Sequence, residues 1–364
     1  MSAAGLSAAV FGAAGFAGGE VCRLLLGHPE VGGIVPTSRG EEAFERIHPN
    51  LAGSGLEFAD PEALAAAPGD LDVAFLCLPA GEAMHLAPAL LAAGVAVVDL
   101  GPDFRFAAAD AYRDVYGRGH AAPELLAEAA CGVSELNRER IRAARLVANP
   151  GCYVIAATLA MAPLLRSGLT RAEGPVHVAA VNGTSGAGGA PRREVMHAAA
   201  FGSMLPYNLA GHRHGPELED RLGEQAGGAV TVSLSTAHGD FARGIQLGAT
   251  VAVDPAAVPS REELLDLYLD FFGAGHAGEF FVQVNDLERR GGATDKDYSI
   301  YPSVREVLGS NFCHLGLDVD ADRGLVKLVA TIDNLGKGAA GSAIQNMNLM
   351  LGLDERAGLR HYGL

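Results

Sequence analysis

The 364 residues, 49% hydrophobic and 19% charged, suffice for two domains with sizeable cores and exclude a disordered chain. A net charge of −16 excludes the basic face that a nucleic-acid partner requires, although a few local arginines still suffice for an anionic small substrate. Five cysteines (Cys22, Cys77, Cys131, Cys152 and Cys313) without C-x-x-C spacing exclude a disulfide framework and a zinc site, and they fit a reducing cytoplasm. No apolar run of about 18 residues lacks Gly or polar breaks, so no membrane span is expected. The apolar stretch from Ser2 to Ala14 has no basic flank and reads as a first strand, not a signal peptide.

In chain order, residues 6–12 read as a strand, 16–27 as a helix with Val21, Leu24 and Leu25 on one face, and 31–37 as a second strand. A strand at 72–78, a helix at 81–93 and a strand at 95–100 follow. Strands that are apolar on both faces and alternate with helices imply a parallel sheet covered by helices. From about residue 175 the texture changes, with strand-like runs at 175–182, 229–236, 245–253, 279–284, 312–319 and 324–332 and fewer helices between them. That pattern implies an α+β domain with a mixed or largely antiparallel sheet, and Ala339 to Leu351 reads as a closing amphipathic helix. The boundary is expected near Asn149, which places Cys152 where two domains meet, a usual position for a ligand cleft.

Gly12-Ala13-Ala14-Gly15-Phe16-Ala17-Gly18 joins the first strand to the first helix as a G-x-x-G-x-x-G loop. Glycine lets the backbone turn tightly and approach a pyrophosphate, which then sits on the helix N-terminus. The end of the second strand carries Thr37, Ser38 and Arg39, with no acid until Glu41. A hydroxyl and a guanidinium suit a 2′-phosphate, so NADP is the expected cofactor; the plainer alternative makes Arg39 a solvated loop residue. Asp99 to Arg105 closes the strand at 95–100 at the carboxyl edge of the sheet, making Arg105 an anion clamp or one half of a structural ion pair with Asp99 or Asp103.

Asn149-Pro150-Gly151-Cys152-Tyr153 lies between an apolar strand-like run and a long helical pattern. Pro and Gly break the strand, so the helix begins at or just after Cys152. A thiol there faces free N–H groups and the positive end of the helix dipole, which favour the thiolate nucleophile and can receive an oxyanion. Asn182 to Gly189 follows a strand, with Arg192 and Arg193 behind it, and its hydroxyls and N–H groups suit an anion or simply a flexible loop. His212-Arg213-His214-Gly215-Pro216-Glu217 offers imidazoles for proton transfer near neutral pH, with Glu217 placed to orient His214 if the segment opens a helix; a polar helix cap is the alternative. Asp333 to Gly341 reads as a strand end, a glycine turn and a helix start, in which Asn334 either bonds a nicotinamide carboxamide or caps the turn.

Together these segments resemble the N-acetyl-γ-glutamyl-phosphate reductase family of the aspartate-semialdehyde dehydrogenase-like superfamily. The matching pieces are the glycine loop from Gly12 to Glu20, Thr37-Ser38-Arg39, Asn149 to Tyr153, Ser185 to Gly188, His212 to Glu217, and the tail from Asp333-Asn334 to Gln345-Asn346, in family order over nearly the whole chain. The resemblance implies an α/β protein: a Rossmann-type NADP-binding domain over 1–148, completed by 336–364, and an α+β catalytic domain with a mixed sheet over 149–335. It implies Gly12, Gly15, Phe16, Gly18, Thr37, Ser38, Arg39 and Asn334 around NADP(H). It also implies Cys152 as nucleophile, His214 as acid/base with Glu217 behind it, and Arg105, Ser185, Gly186, Tyr207 and His212 near the substrate.

The sequence departs from the family pattern at Val154 and Ile155, where Pro-Thr is usual, and at Ser134, Gly189 and Gly215. None of these removes a group with a chemical role. The reaction so implied is NADPH-dependent reduction of N-acetyl-γ-glutamyl phosphate through a cysteine thioester, in a cytoplasmic homo-oligomer, dimer or tetramer, without metal, membrane or nucleic acid. The neighbouring alternatives are a carrier-linked aminoadipyl phosphate or aspartyl phosphate as substrate. The alternative of another class is a non-catalytic NADP-binding redox sensor.

Overall fold

The computed structural model describes residues 5–359 and 362–363, apart from 172–173, 274–277, 290, 292–293 and 295; the first residues of the apolar N-terminal stretch and residues 360, 361 and 364 of the closing segment lie outside the described residues. The chain divides into two compact units, Met1–Gly151 with Gly338–His361, and Cys152–Lys337 with Tyr362–Leu364.

The first unit is built on β1 (Leu6–Phe11), α1 (Phe16–Leu26), β2 (Val31–Pro36), α2 (Phe44–Ile47), α3 (Pro61–Ala66), β3 (Val73–Leu76), α4 (Ala83–Ala92), β4 (Ala96–Asp99), α5 (Ala109–Tyr116), β5 (Ala130–Cys131), α6 (Ser134–Ala143) and β6 (Leu146–Ala148). Its six strands run in the order β2-β1-β3-β4-β6-β5, and every pairing is parallel. β3 is buried at all four positions, the pattern of a strand covered on both faces. The strand order reverses between β1 and β3, and ligands of such sheets bind outside the carboxyl ends of the strands at that point.

A last helix, α11 (Gly341–Met350), belongs to this unit and packs against α1, α6 and β4. The amphipathic expectation fails here, because residues 341–349 are all buried. Its polar side chains are satisfied inside the protein instead. Asn346 Nδ2 donates to Gly132 O and Asn149 Oδ1, each at 3.0 Å, while Ser342 Oγ donates to Asn149 Oδ1 at 2.9 Å. Buried amides and hydroxyls that find partners cost little, so a polar face can dock as firmly as an apolar one.

The second unit contains α7 (Cys152–Arg166), β7 (Val176–Asn182), α8 (His197–Ala200), β8 (Leu205–Tyr207), α9 (His214–Ala226), β9 (Val232–His238), β10 (Ile245–Ala252), α10 (Arg261–Phe272), β11 (Val282–Val284), β12 (Cys313–Asp320) and β13 (Leu325–Ile332). Seven strands lie in the order β11-β12-β13-β10-β7-β9-β8, parallel at β11/β12 and β7/β9 and antiparallel elsewhere, so the sheet is mixed. α7 is buried from Tyr153 to Leu165 and packs on α9, α10, β10 and β13. The strand expected at 229–236 in fact runs to His238, and that shift carries a histidine to the strand end.

Candidate active site

In the first unit the glycine loop is dictated by close approaches. Gly12 has φ +77°, and a Cβ there would lie 2.4 Å from Cys77 O at the end of β3. A Cβ on Gly18 would lie 2.5 Å from Gly12 O. Gly15 precedes α1 with no side-chain cap and no acid in the first turn, so the helix's leading N–H groups are open to an anion. Phe16, the first helical residue, is about half exposed beside them. Thr37 is bonded through its backbone to Val10 O and Ala13 N, while its buried Oγ1 has no hydrogen-bond partner among the described residues. Ser38 Oγ accepts from Gly40 N at 3.0 Å, and the exposed Arg39 pairs with Glu62 and Glu82 at 3.1 and 2.9 Å. An open helix N-terminus, a cradle that any Cβ would fill and an orphaned hydroxyl fit a dinucleotide.

At the end of β4, Asp99 is fully buried, and burial pushes its carboxyl up to about 7, with repulsion from Asp103 adding to the shift. The charge of Arg105 opposes that rise. Arg105 donates to the carbonyls of Leu100 at 2.8 Å and Asn149 at 3.1 Å, tying two loops at the sheet edge.

In the second unit, Cys152 is the first residue of α7 and His214 is the first residue of α9, and the two helices pack together. Tyr153, 1% exposed, joins their ends: its ring centroid lies 5.7 Å from those of both His212 and His214. The two imidazoles are 4.7 Å apart. His212 Nδ1 accepts from the His214 backbone N–H at 3.1 Å, so His212 presents its lone pair to α9 and holds the helix start. Burial lowers His212 from 6.5 to about 4, reinforced by Arg213 and His238, and the ring is neutral near neutral pH. His214 is 5% exposed, and Glu217, in the same first turn of α9, is 1% exposed.

Tyr207, on β8, completes the group. Its hydroxyl shares a 2.9 Å hydrogen bond with Tyr153, its ring stacks on His238 at 4.4 Å and 9°, and its carbonyl accepts from Thr236 Oγ1 at 2.7 Å. Burial raises both tyrosines, and the charge of Cys152 adds to each, which places the thiol within electrostatic reach of both hydroxyls. The loop from Gly183 to Gly188 is pinned by main-chain bonds from Thr184 N to Phe241 O and from Ser185 N to Ala242 O. Gly186 leaves room for Asn182, whose Nδ2 would lie 2.0 Å from a Cβ there.

Asn334 joins this loop. Its Nδ2 donates to Ser185 Oγ at 2.9 Å and its Oδ1 accepts from Gly244 N at 2.7 Å, so both ends of the amide are engaged. Sequence reasoning missed Tyr153 as the link between the helix starts, and it missed His238, Thr236 and Arg243. Arg243 is held by the fully buried Asp333 through bonds of 3.2 and 3.1 Å. The discoverable signal was a histidine and an arginine five residues apart, flanking the glycine turn after β9. Among the described residues, no group of three or more His, Cys, Asp or Glu could hold a metal ion.

The family profile described as "Semialdehyde dehydrogenase, NAD binding domain" matches residues 7–144, and "Semialdehyde dehydrogenase, dimerisation domain" matches 152–334. The chain belongs to the semialdehyde dehydrogenase family. Its place within that family is beside the N-acetyl-gamma-glutamyl-phosphate reductases. It is 42% identical to the one from Symbiobacterium thermophilum, covering 97% of each chain, and 40% identical to the one from Methanopyrus kandleri, covering 97% of this chain and 98% of that one. The fold is also that of aspartate semialdehyde dehydrogenase II from Vibrio cholerae, with a TM-score of 0.69 at 17% identity over 96% of this chain and 99% of that one.

Proposed function

We infer that the protein reduces N-acetyl-γ-glutamyl phosphate to N-acetylglutamate 5-semialdehyde with release of phosphate and with NADPH as reductant, a step of arginine biosynthesis. The relatives' shared name supports the substrate, and one observation carries the chemistry: a cysteine and a histidine open two helices that pack together. The Cys152 thiolate attacks the acyl carbon, the bond from that carbon to the phosphate oxygen breaks, and a thioester forms on Sγ. His214 takes the proton from Sγ and gives it to the departing phosphate oxygen, with Glu217 behind it to hold the imidazolium. N–H groups of the first turn of α7 receive the oxyanion.

When bound, NADPH supplies the hydride that brings the thioester to the aldehyde level. Gly12, Gly15, Phe16 and Gly18 hold its pyrophosphate, and Thr37, Ser38 and Arg39 its phosphorylated ribose. Asn334 keeps a second N–H and a second carbonyl lone pair beside its bonds to Ser185 and Gly244, so it can bond a carboxamide without giving up either. Ser185, Gly186, Tyr207 and His212 surround the acyl group in this reading.

A homo-oligomer, dimer or tetramer, fits the dimerisation-domain match. A cytoplasmic setting fits the five cysteines without C-x-x-C spacing, and no helix among the described residues is long and apolar enough to cross a membrane. The test is NADPH formation from N-acetylglutamate 5-semialdehyde and phosphate. Turnover that requires phosphate supports the reading, and a folded, NADP-binding protein that leaves this aldehyde untouched overturns it.

A further inference from the structure

Asn182 ends β7 and His238 ends β9, and the two are register partners in the parallel pairing of those strands. They are 2% and 7% exposed. Asn182 Oδ1 and His238 Nδ1 are each buried without a hydrogen-bond partner among the described residues. Such atoms are costly unless something supplies the missing bond, and native proteins keep few of them. Two on adjacent strand ends mark a site.

The chemistry of these atoms selects what fits. The Gly183 backbone acts on His238 in the sense that favours a protonated ring nitrogen. With that proton on Nε2, the unpartnered Nδ1 carries the lone pair. Asn182 Oδ1 is an acceptor by nature. Two neighbouring acceptors repel a carboxylate or a phosphate. A cation is disfavoured as well, because the charge of Arg192 acts on His238 and, with burial, opposes positive charge on the ring. A neutral N–H or O–H remains.

The site lies close to the thiol chemistry. The His238 ring stacks on Tyr207, Tyr207 bonds Tyr153, and Tyr153 follows Cys152 in the chain. On the flank of Asn182 is Gly186, in the loop proposed to hold the substrate. Resting on the function proposed above, the substrate carries a carboxylate, an acyl phosphate and an amide carbonyl, all acceptors. Its one N–H is that of the acetamido group. We propose that Asn182 and His238 together receive this amide N–H in a three-centre hydrogen bond, and so select an N-acylated substrate.

The test compares N-acetylglutamate 5-semialdehyde with its acetoxy analogue, in which oxygen replaces the amide N–H and nothing else changes. The wild-type protein is expected to prefer the amide by about tenfold or more in kcat/KM, since a site built to bond an N–H is left with unpaired acceptors by the analogue. His238→Phe keeps a ring on Tyr207 but removes the nitrogen, and Asn182→Leu removes the oxygen; each brings the preference close to unity. Asn182→Asp retains an oxygen acceptor and retains the preference, which also guards against a misfolded Leu variant. Equal use of amide and ester by the wild-type protein overturns the proposal and leaves a buried water as the partner of both atoms. Parallel loss of both substrates with the preference intact overturns it too. Absence of any wild-type turnover of the acetylated aldehyde is the separate failure of the parent reading.

Discussion

A Cβ on Gly19 would lie 2.3 Å from Cε1 of His48, and the same imidazole bonds the carbonyl of Ala13 through Nε2 at 2.7 Å. The carbonyl can only accept, so Nε2 carries the proton and donates. His48 is 9% exposed and packs on the ring of Phe44 at 5.0 Å, which leaves it little room to swing away. A glycine inside α1, costing about 1 kcal/mol relative to alanine, is thus retained because a side chain that braces the dinucleotide loop occupies the space. Gly19→Ala is expected to weaken NADPH binding about tenfold, in keeping with the usual 1–3 kcal/mol of overpacking. A fluorescence titration of NADPH measures this, and wild-type affinity in the variant would show that His48 does not brace the loop.

Arg39 is exposed, and so are its partners in part, so its two ion pairs with Glu62 and Glu82 are worth little and yield readily to a better ligand. A 2′-phosphate offers the guanidinium fork charge-assisted bonds of matching geometry. Arg39→Gln is therefore expected to raise KM for NADPH by about tenfold or more while changing KM for NADH only slightly. Steady-state kinetics with both cofactors decide it, and an equal rise for both would remove Arg39 from phosphate recognition.

The neutral His212 gives the fold a pH dependence. Its value is lowered from 6.5 to about 4 by burial first, then by Arg213 and His238, and His238 is itself lowered by burial. Between those two values the unfolded chain binds a proton that the folded protein does not. Stability from this source is therefore complete above 6.5 and is lost as the pH falls from 6.5 towards 4. His212→Asn, which keeps an acceptor for His214 N–H, is expected to flatten the decline of Tm over this window. An unchanged slope would mean that other groups carry it.

How far the sequence can be read depends on how local the determining contacts are. The glycine loop, the open start of α1 and the helix starts at Cys152 and His214 follow from Gly, Pro and apolar spacing within a few residues, and they were legible. α10 was legible as well and went unread: Ser260 and Glu263 form a capping box, with bonds of 3.1 and 2.7 Å, directly before its apolar pattern. α11 misled because its polar face is buried on partners at Gly132 and Asn149, far back in the chain. Contacts set by strand order were out of reach. Asn334 meets Ser185 across 149 residues, and His238 meets Tyr207 only because β8 lies at the edge beside β9.

The central claim is that Cys152 carries the acyl group. It is tested by mixing the protein with N-acetyl-γ-glutamyl phosphate in the absence of NADPH, then measuring phosphate release and the mass of the peptide that contains Cys152. The account predicts one phosphate released per site, an acyl adduct on that peptide, and neither from Cys152→Ser. Phosphate released only once NADPH is added, with no adduct at any time, would contradict it.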